Sequence, residues 1–163
     1  MRTRTPLRSP FPFPTRVKSS KILIDVAKGL QYLHSRDPYP VIHRDIKPDN
    51  VLLSGKAGAF KASIADLGEA RTVEDSHVAM TRVGTNGYTA PEVLRGTCYS
   101  TPCDVFSFAI VIWETLALQS PYQELRVDPE TGNRLASWSQ ILEMTITEDL
   151  VSQHASNAKP QPN

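Results

Sequence analysis

Asp45, Lys47 and Asn50 stand two and five residues apart in a run that reads His43-Arg44-Asp45-Ile46-Lys47-Pro48-Asp49-Asn50. A carboxylate, a cation and an amide in so short a stretch suit the transfer of a phosphoryl group to a hydroxyl. That reaction asks a protein for position and charge compensation more than for covalent chemistry. It needs a carboxylate beside the attacking hydroxyl, a cation near the transferred phosphate, and ligands for magnesium. Sixteen residues past Asn50 comes Asp66-Leu67-Gly68, just after the apolar Ile64. A carboxylate at a strand end, followed by glycine, makes a metal-chelating turn. Further on, Gly84-Thr85-Asn86-Gly87-Tyr88-Thr89 leads into Ala90-Pro91-Glu92.

Each of these residues also has a plain reading. Asp45 suits a turn, Asp66 a strand end, Asp104 a helix start, and His43 a satisfied core position. Their order and spacing weigh against all of the plain readings holding together.

Several elements must position these groups. Ser19 or Ser20 suits a helix cap, after which Ile22, Leu23, Val26, Ala27, Leu30 and Leu33 recur at helical spacing through His34. Val41-Ile42 and Val51 to Leu53 are short apolar runs that suit two strands holding a rigid loop between them. Phe60 to Ile64 reads as another strand, after the turn residues Gly55 and Gly58. Cys103 to Leu118 is the most apolar helix candidate. Its apolar residues cover most of its circumference, which places it in a core, and Asp104, Ser107 and Glu114 interrupt them. Thr101 reads as its cap, with Pro102 in the first turn and Asp104 three residues after the cap. Trp138, Ile141, Leu142 and Ile146 suit one more amphipathic helix.

Composition sets the outer bounds. The chain has 163 residues, with 40% hydrophobic and 21% charged, room for one globular domain. A net charge of +1 gives no bulk field toward nucleic acid or a membrane surface. The apolar helix is too short for a comfortable membrane span. Cys98 and Cys103 are too few for a disulfide framework and fit no common zinc spacing, so a reducing, intracellular setting is the simplest expectation. Residues 1–18 are rich in arginine and proline and carry no acid. They read as a disordered tail rather than a transit peptide, because an amphipathic helical pattern is lacking. Residues 151–163 read as a second polar, disordered tail.

Taken together, the motifs resemble the C-terminal lobe of a eukaryotic protein kinase over roughly Ser19 to Leu125, in the family's motif order. The wording of Gly84 to Val93 and of Asp104 to Leu116 is most similar to the tyrosine-kinase-like group. The resemblance implies a mainly α lobe with short β-hairpins, part of an α+β kinase fold. On this expectation residues 19–150 form a partial kinase domain in which the N-lobe is absent and the last helices are truncated.

The resemblance also implies roles. Asp45 would orient the acceptor hydroxyl or accept its proton, and Lys47 would neutralise the transferred phosphate. A lysine at that place points to serine or threonine acceptors. Asn50 and Asp66 would hold magnesium, and Leu52 would pack under the adenine of ATP. Thr85 would bond Asp45 and Lys47. Arg44 would receive a phosphorylated residue from the segment between Gly68 and Ala90. His43 and Leu67 would form the lower half of a hydrophobic stack, and Asp104 would hold the catalytic loop from below. The implied partners are ATP, a protein substrate and a contact with another kinase lobe.

Departures from the family pattern are equally plain. Leu67 replaces the usual phenylalanine. The 163 residues contain no glycine-rich phosphate-covering loop, no Val-Ala-Ile-Lys strand and no helix glutamate to pair with its lysine. Glu92 lacks a convincing arginine partner, since Arg134 sits in the wrong context. Two expectations therefore stand side by side: a serine/threonine kinase domain fragment that is inactive by itself, and a non-catalytic lobe remnant that acts as an interaction module.

Overall fold

The computed structural model describes residues 16–55, 60–76, 84–96, 100–126, 133 and 136–146. They belong to two compact units, Met1–Pro121 and Tyr122–Asn163.

The first unit opens with helix α1, Arg16–His34. Ile22, Val26 and Leu30 recur every four residues and lie on one buried face. That face packs on a hairpin of β2, Val51–Ser54, and β3, Lys61–Ile64. The hairpin is antiparallel, with Val51 opposite Ile64 and Leu52 opposite Ser63. Ile22, Val26, Val51 and Ala62 form one core cluster, flanked by Leu53, Ile64 and Phe108. Each isoleucine or valine side chain there stabilises the fold by roughly 1.5–3 kcal/mol when fully buried. Helix and strand pack closely at Gly29, where a Cβ would sit 2.9 Å from Ile64 Cδ1 and would push that side chain aside. Asp25 ties the same two elements, accepting the Ala62 amide at 3.1 Å, and this backbone bond is the main cause that lowers its carboxyl pKa.

Strand β1, Val41–Ile42, pairs not with β2 but with β4, Arg71–Thr72. The expected strands on either side of the loop exist but lie in different sheets. The loop is therefore not a hairpin turn, and something other than a ladder must fix its shape. Short helices α2, Val73–Ser76, and α3, Pro91–Leu94, follow.

Helix α4, Pro102–Ala117, is where expectation and structure differ most. Its buried residues are Cys103, Asp104, Ser107, Val111, Glu114 and Thr115. Val105 and Leu116 are exposed instead. The polar residues that interrupt the apolar run are the ones turned inward. Thr101 stands at the N-cap position but makes no side-chain cap bond, and its backbone is already helical. α1 likewise begins at Arg16, upstream of the expected serine caps, and Ser19 is buried within it. Cys103 packs with Ile42, Ala90 and Val93. Burial, with the charges of Asp104 and Glu92, pushes its thiol up to about 12, so it stays protonated and inert. Glu92, for which the sequence offers no convincing arginine partner, makes a polar or electrostatic contact. Arg134 lies outside the described residues.

The second unit holds α5, Gln123–Arg126, and α6, Trp138–Ile146, the latter where the apolar spacing placed it. Ile141 is fully buried and packs with Tyr122, Leu125, Ala136 and Trp138. The Arg126 guanidinium stacks 4.4 Å from the Trp138 ring centroid. No helix among the described residues is long and apolar enough to cross a membrane.

Glu114 makes a pH dependence predictable. Its buried carboxyl accepts the Tyr88 hydroxyl at 2.6 Å. Burial raises its pKa, the Tyr88 bond opposes this, and the charge of Asp49 adds to the rise. The unfolded carboxyl ionises near 4.3. Above that pH the folded chain retains a proton that the unfolded chain has lost, so stability falls as pH rises through the window up to the folded value. Glu114→Gln keeps an acceptor and removes the titration. In urea melts it should gain stability relative to the native chain from pH 4 to pH 7. A difference independent of pH would contradict the assignment.

Candidate active site

Asp104 is wholly buried at the start of α4 and organises the loop that precedes the site. Its Oδ1 accepts the Arg44 amide at 2.8 Å. Its Oδ2 accepts the His43 amide at 2.8 Å and the His34 ring at 2.8 Å. A buried carboxylate is costly unless donors compensate it, and here three do so. The amide bonds hold Arg44 in a left-handed conformation, φ 70°, that a non-glycine residue adopts only under constraint. His43 continues the chain of bonds. Its Nδ1 accepts the Asp45 amide at 3.3 Å, so its Nε2 carries the proton and donates to the Ala65 carbonyl at 3.0 Å. The Arg44 guanidinium runs under the segment, donating from Nε to the Glu69 carbonyl.

The residues past Arg44 converge tightly. Lys47 Nζ lies 2.7 Å from Asp45 Oδ2 and 2.7 Å from Thr85 Oγ1. The Thr85 hydroxyl donates to Asp45 Oδ1 at 2.6 Å. Asn50 Nδ2 donates to the Asp45 carbonyl at 2.7 Å and to Asp45 Oδ2 at 3.0 Å. Asn50 closes a short 3-10 turn, Pro48–Asn50, whose first residue suits proline. Asp45, Lys47, Asn50 and Thr85, separated by up to 40 residues, thus meet at one point.

The electrostatics follow from those contacts. Burial alone would raise the Asp45 carboxyl. Hydrogen bonds from Lys47 and Thr85, the Lys47 charge and the Asn50 amide outweigh it and hold the group below the usual carboxylate range. Asp45 is therefore ionised at neutral pH. A carboxylate offers about four lone-pair sites. Thr85, Lys47 and Asn50 take three of them, which leaves one for a hydroxyl from outside.

Asp66 sits at the end of β3 with a left-handed φ of 63° and is exposed. Its Oδ1 accepts the Gly68 amide at 3.3 Å. The Ala65 amide donates to the Asn50 carbonyl at 2.9 Å, which ties the Asp66 turn to the Asn50 turn. With its NH2 committed to Asp45, Asn50 keeps Oδ1 for another partner. Carboxylate and amide oxygens form a hard donor set, which fits magnesium and does not favour softer metals. Among the described residues no group of three His, Cys, Asp or Glu side chains could hold a metal. Leu52 is half-buried on β2 opposite Ser63, and Leu67 is exposed beside Asp66.

Sequence reasoning missed three contributors: His34, Tyr88 and the inward face of α4. A signal for the last was available. Asp104, Ser107, Val111 and Glu114 follow one another at intervals of three, four and three, one stripe along a helix.

Comparison with known proteins agrees with this geometry. The model of the protein kinase domain family matches residues 9–161. A serine/threonine-protein kinase/receptor of Acanthamoeba polyphaga mimivirus is 50% identical over 102 residues, which make up 63% of this chain and 6% of that protein. Mitogen-activated protein kinase kinase kinase 7 of Drosophila melanogaster is 46% identical over 98 residues, 60% of this chain and 14% of that protein. The Homo sapiens protein of the same name is 37% identical over 116 residues, 71% of this chain and 18% of that protein. The chain spans only a small part of each of these relatives. With nearly its whole length matched by the family model, and with the loop, turn and helix arranged as above, this chain belongs to the protein kinase domain family.

Proposed function

We propose that the chain is the lower-lobe part of a serine/threonine kinase of the tyrosine-kinase-like group, with Asp45, Lys47 and Thr85 as its acceptor site. The observation that carries this reading is the triangle of contacts, each 2.6–2.7 Å, among Asp45, Lys47 and Thr85. Residues 19–150 would be the kinase portion, and residues 1–18 and 151–163 its tails.

On this reading the acceptor hydroxyl donates to the remaining lone pair of Asp45, which aligns its oxygen with the phosphorus. A carboxylate held below its usual pKa is a weak base. That suits a loose transition state, in which the nucleophile needs orientation more than early deprotonation. Lys47 balances charge on the transferred group while it holds Asp45 in place. Asn50 and Asp66 would hold magnesium, which would supply positive charge to the phosphates of ATP. Leu52 would offer an apolar floor for adenine.

A second reading, the non-catalytic interaction module, is compatible with one observation that does not separate it from the first. A groove of about 500 Å³ lies between α1 and β3, lined by Gly29, Tyr32, Leu33, Ile64 and Leu67 among others. Tyr32 and Leu67 are 62% and 55% exposed there. Such a surface suits contact with another kinase lobe, an arrangement both readings share.

Two outcomes test the proposal. With no glycine-rich loop or strand lysine in its 163 residues, the chain by itself should not reach a kinase turnover of roughly 1–100 per second. The assay uses labelled ATP, magnesium and a generic basic protein. Turnover in that range that disappears in Asp45→Asn would contradict the expected inactivity of this chain by itself, while supporting the place of Asp45 in the acceptor site. Joined to an upper lobe ahead of Ser19, the enzyme should phosphorylate serine and threonine and largely ignore tyrosine. The Thr85 and Lys47 floor brings a short side chain to Asp45, whereas a tyrosine ring carries its oxygen past it. Thr85→Ala should lower turnover and cost on the order of 1.5–3 kcal/mol of stability, since its hydroxyl bonds two charged, partly exposed groups. A peptide library scored by acceptor residue checks this, and a tyrosine preference refutes it.

A further inference from the structure

The groove between α1 and β3 has two unlike ends. Asp25 on the helix accepts the Ala62 amide at 3.1 Å, and one turn later Gly29 lies against Ile64. Helix and strand therefore run the same way along the groove. Its early end is lined by Lys28 and Lys61, its late end by Tyr32, Leu33 and Leu67. Gly29 and Ile64 form the floor between them.

The early end carries an excess of positive charge. Asp25, the one carboxylate in the lining, is already engaged by the Ala62 amide and by Lys21 Nζ at 3.1 Å. The Ala62 bond, with the charges of Lys21 and Lys28, outweighs burial and holds its carboxyl below the usual range. Lys28 acts on Asp25 by charge alone. Among the described residues neither Lys28 nor Lys61 makes an ion pair, and both are exposed. Three lysines thus stand around one carboxylate. The late end is apolar and open, with Tyr32 and Leu67 exposed. Arg36 holds the Tyr32 ring as a wall, stacking 5.1 Å from its centroid and donating to its hydroxyl at 3.2 Å.

We propose that this groove docks a short segment of a partner protein that carries acidic side chains next to apolar ones. Its carboxylates pair with Lys28 and Lys61, and its apolar side chains lie between Tyr32 and Leu67. Charge complementarity selects this occupant. A basic segment is repelled by the lysines, and a wholly apolar one gains nothing from them. An acidic segment without apolar residues leaves Tyr32 and Leu67 in water. The inference goes beyond both readings of function and holds whether or not Asp45 meets an acceptor hydroxyl. Any protein with such a segment qualifies, a second lobe included.

The test selects a random library of short peptides on the 163-residue chain, without ATP. Selection should enrich aspartate or glutamate beside leucine, isoleucine or phenylalanine. Amide shifts on binding should fall on α1 and β3 and spare the loop from His43 to Asn50. Lys28→Glu with Lys61→Glu should weaken a selected peptide by about tenfold, the loss of two surface ion pairs. Added salt should weaken the native complex, since exposed charges are screened. Tyr32→Ser should weaken it through the apolar end. Should the double variant not fold, Lys28→Gln and Lys61→Gln decide the matter, each expected to weaken binding about threefold. A library that yields no peptide, or only peptides without acids, overturns the proposal. So does a peptide that binds the lysine variants as tightly as the native chain, or one whose shifts lie elsewhere.

Discussion

The bond pattern around Asp104 is the constraint on which the rest depends. A carboxylate with no solvent exposure would be ruinous alone, yet here it takes amides from His43 and Arg44 and the ring of His34. Those bonds do what a strand ladder does elsewhere. β1 and β2, on either side of the loop, pair with other strands, so nothing in the sheets fixes the path between them. Asp104 fixes it from below, in a conformation that Arg44 would not choose. Asp45 then emerges at a defined height, where Lys47, Asn50 and Thr85 can reach it.

Two carboxylates show how environment divides labour. Asp45 is partly buried but surrounded by donors and one cation, which hold it ionised. Glu114 is more deeply buried, faces a single hydroxyl and feels the charge of Asp49, which favours its protonated form. On the proposed reading the first meets a substrate hydroxyl and carries charge beside a phosphate. The second is suited to holding a neighbour in place. Burial pushes both in the same direction, and the number of donors decides the outcome.

The loop from His43 to Asn50, the Asp66 turn and the Thr85 bend were legible because their chemistry needs fixed residue types at fixed spacing. The helices at α1, α4 and α6 were legible because apolar residues recur with the helical period. Which side of α4 faces inward was legible only in the stripe of Asp104, Ser107, Val111 and Glu114, and not in its apolar pattern. Periodicity treats Asp104, Ser107 and Glu114 as interruptions of an apolar helix, yet they are buried because each meets a distant partner, and sequence spacing does not reveal partners. Val105 and Leu116 are left outside for the same reason. Strand pairing was hidden too, since runs of two to four residues carry no register information. Helix starts moved by a few residues because Ser19 lies buried inside α1 and Thr101 makes no side-chain cap bond, and a boundary without a cap has no sharp signal.

Amide hydrogen exchange at His43 and Arg44 tests the central claim most directly. Neither residue belongs to a helix or a strand. If Asp104 holds the loop as described, both amides exchange as slowly as the buried face of α4, through the same global opening. Exchange at the rate of an ordinary surface loop would mean that the loop is not anchored by Asp104, and the account of the site built on that anchor would fall.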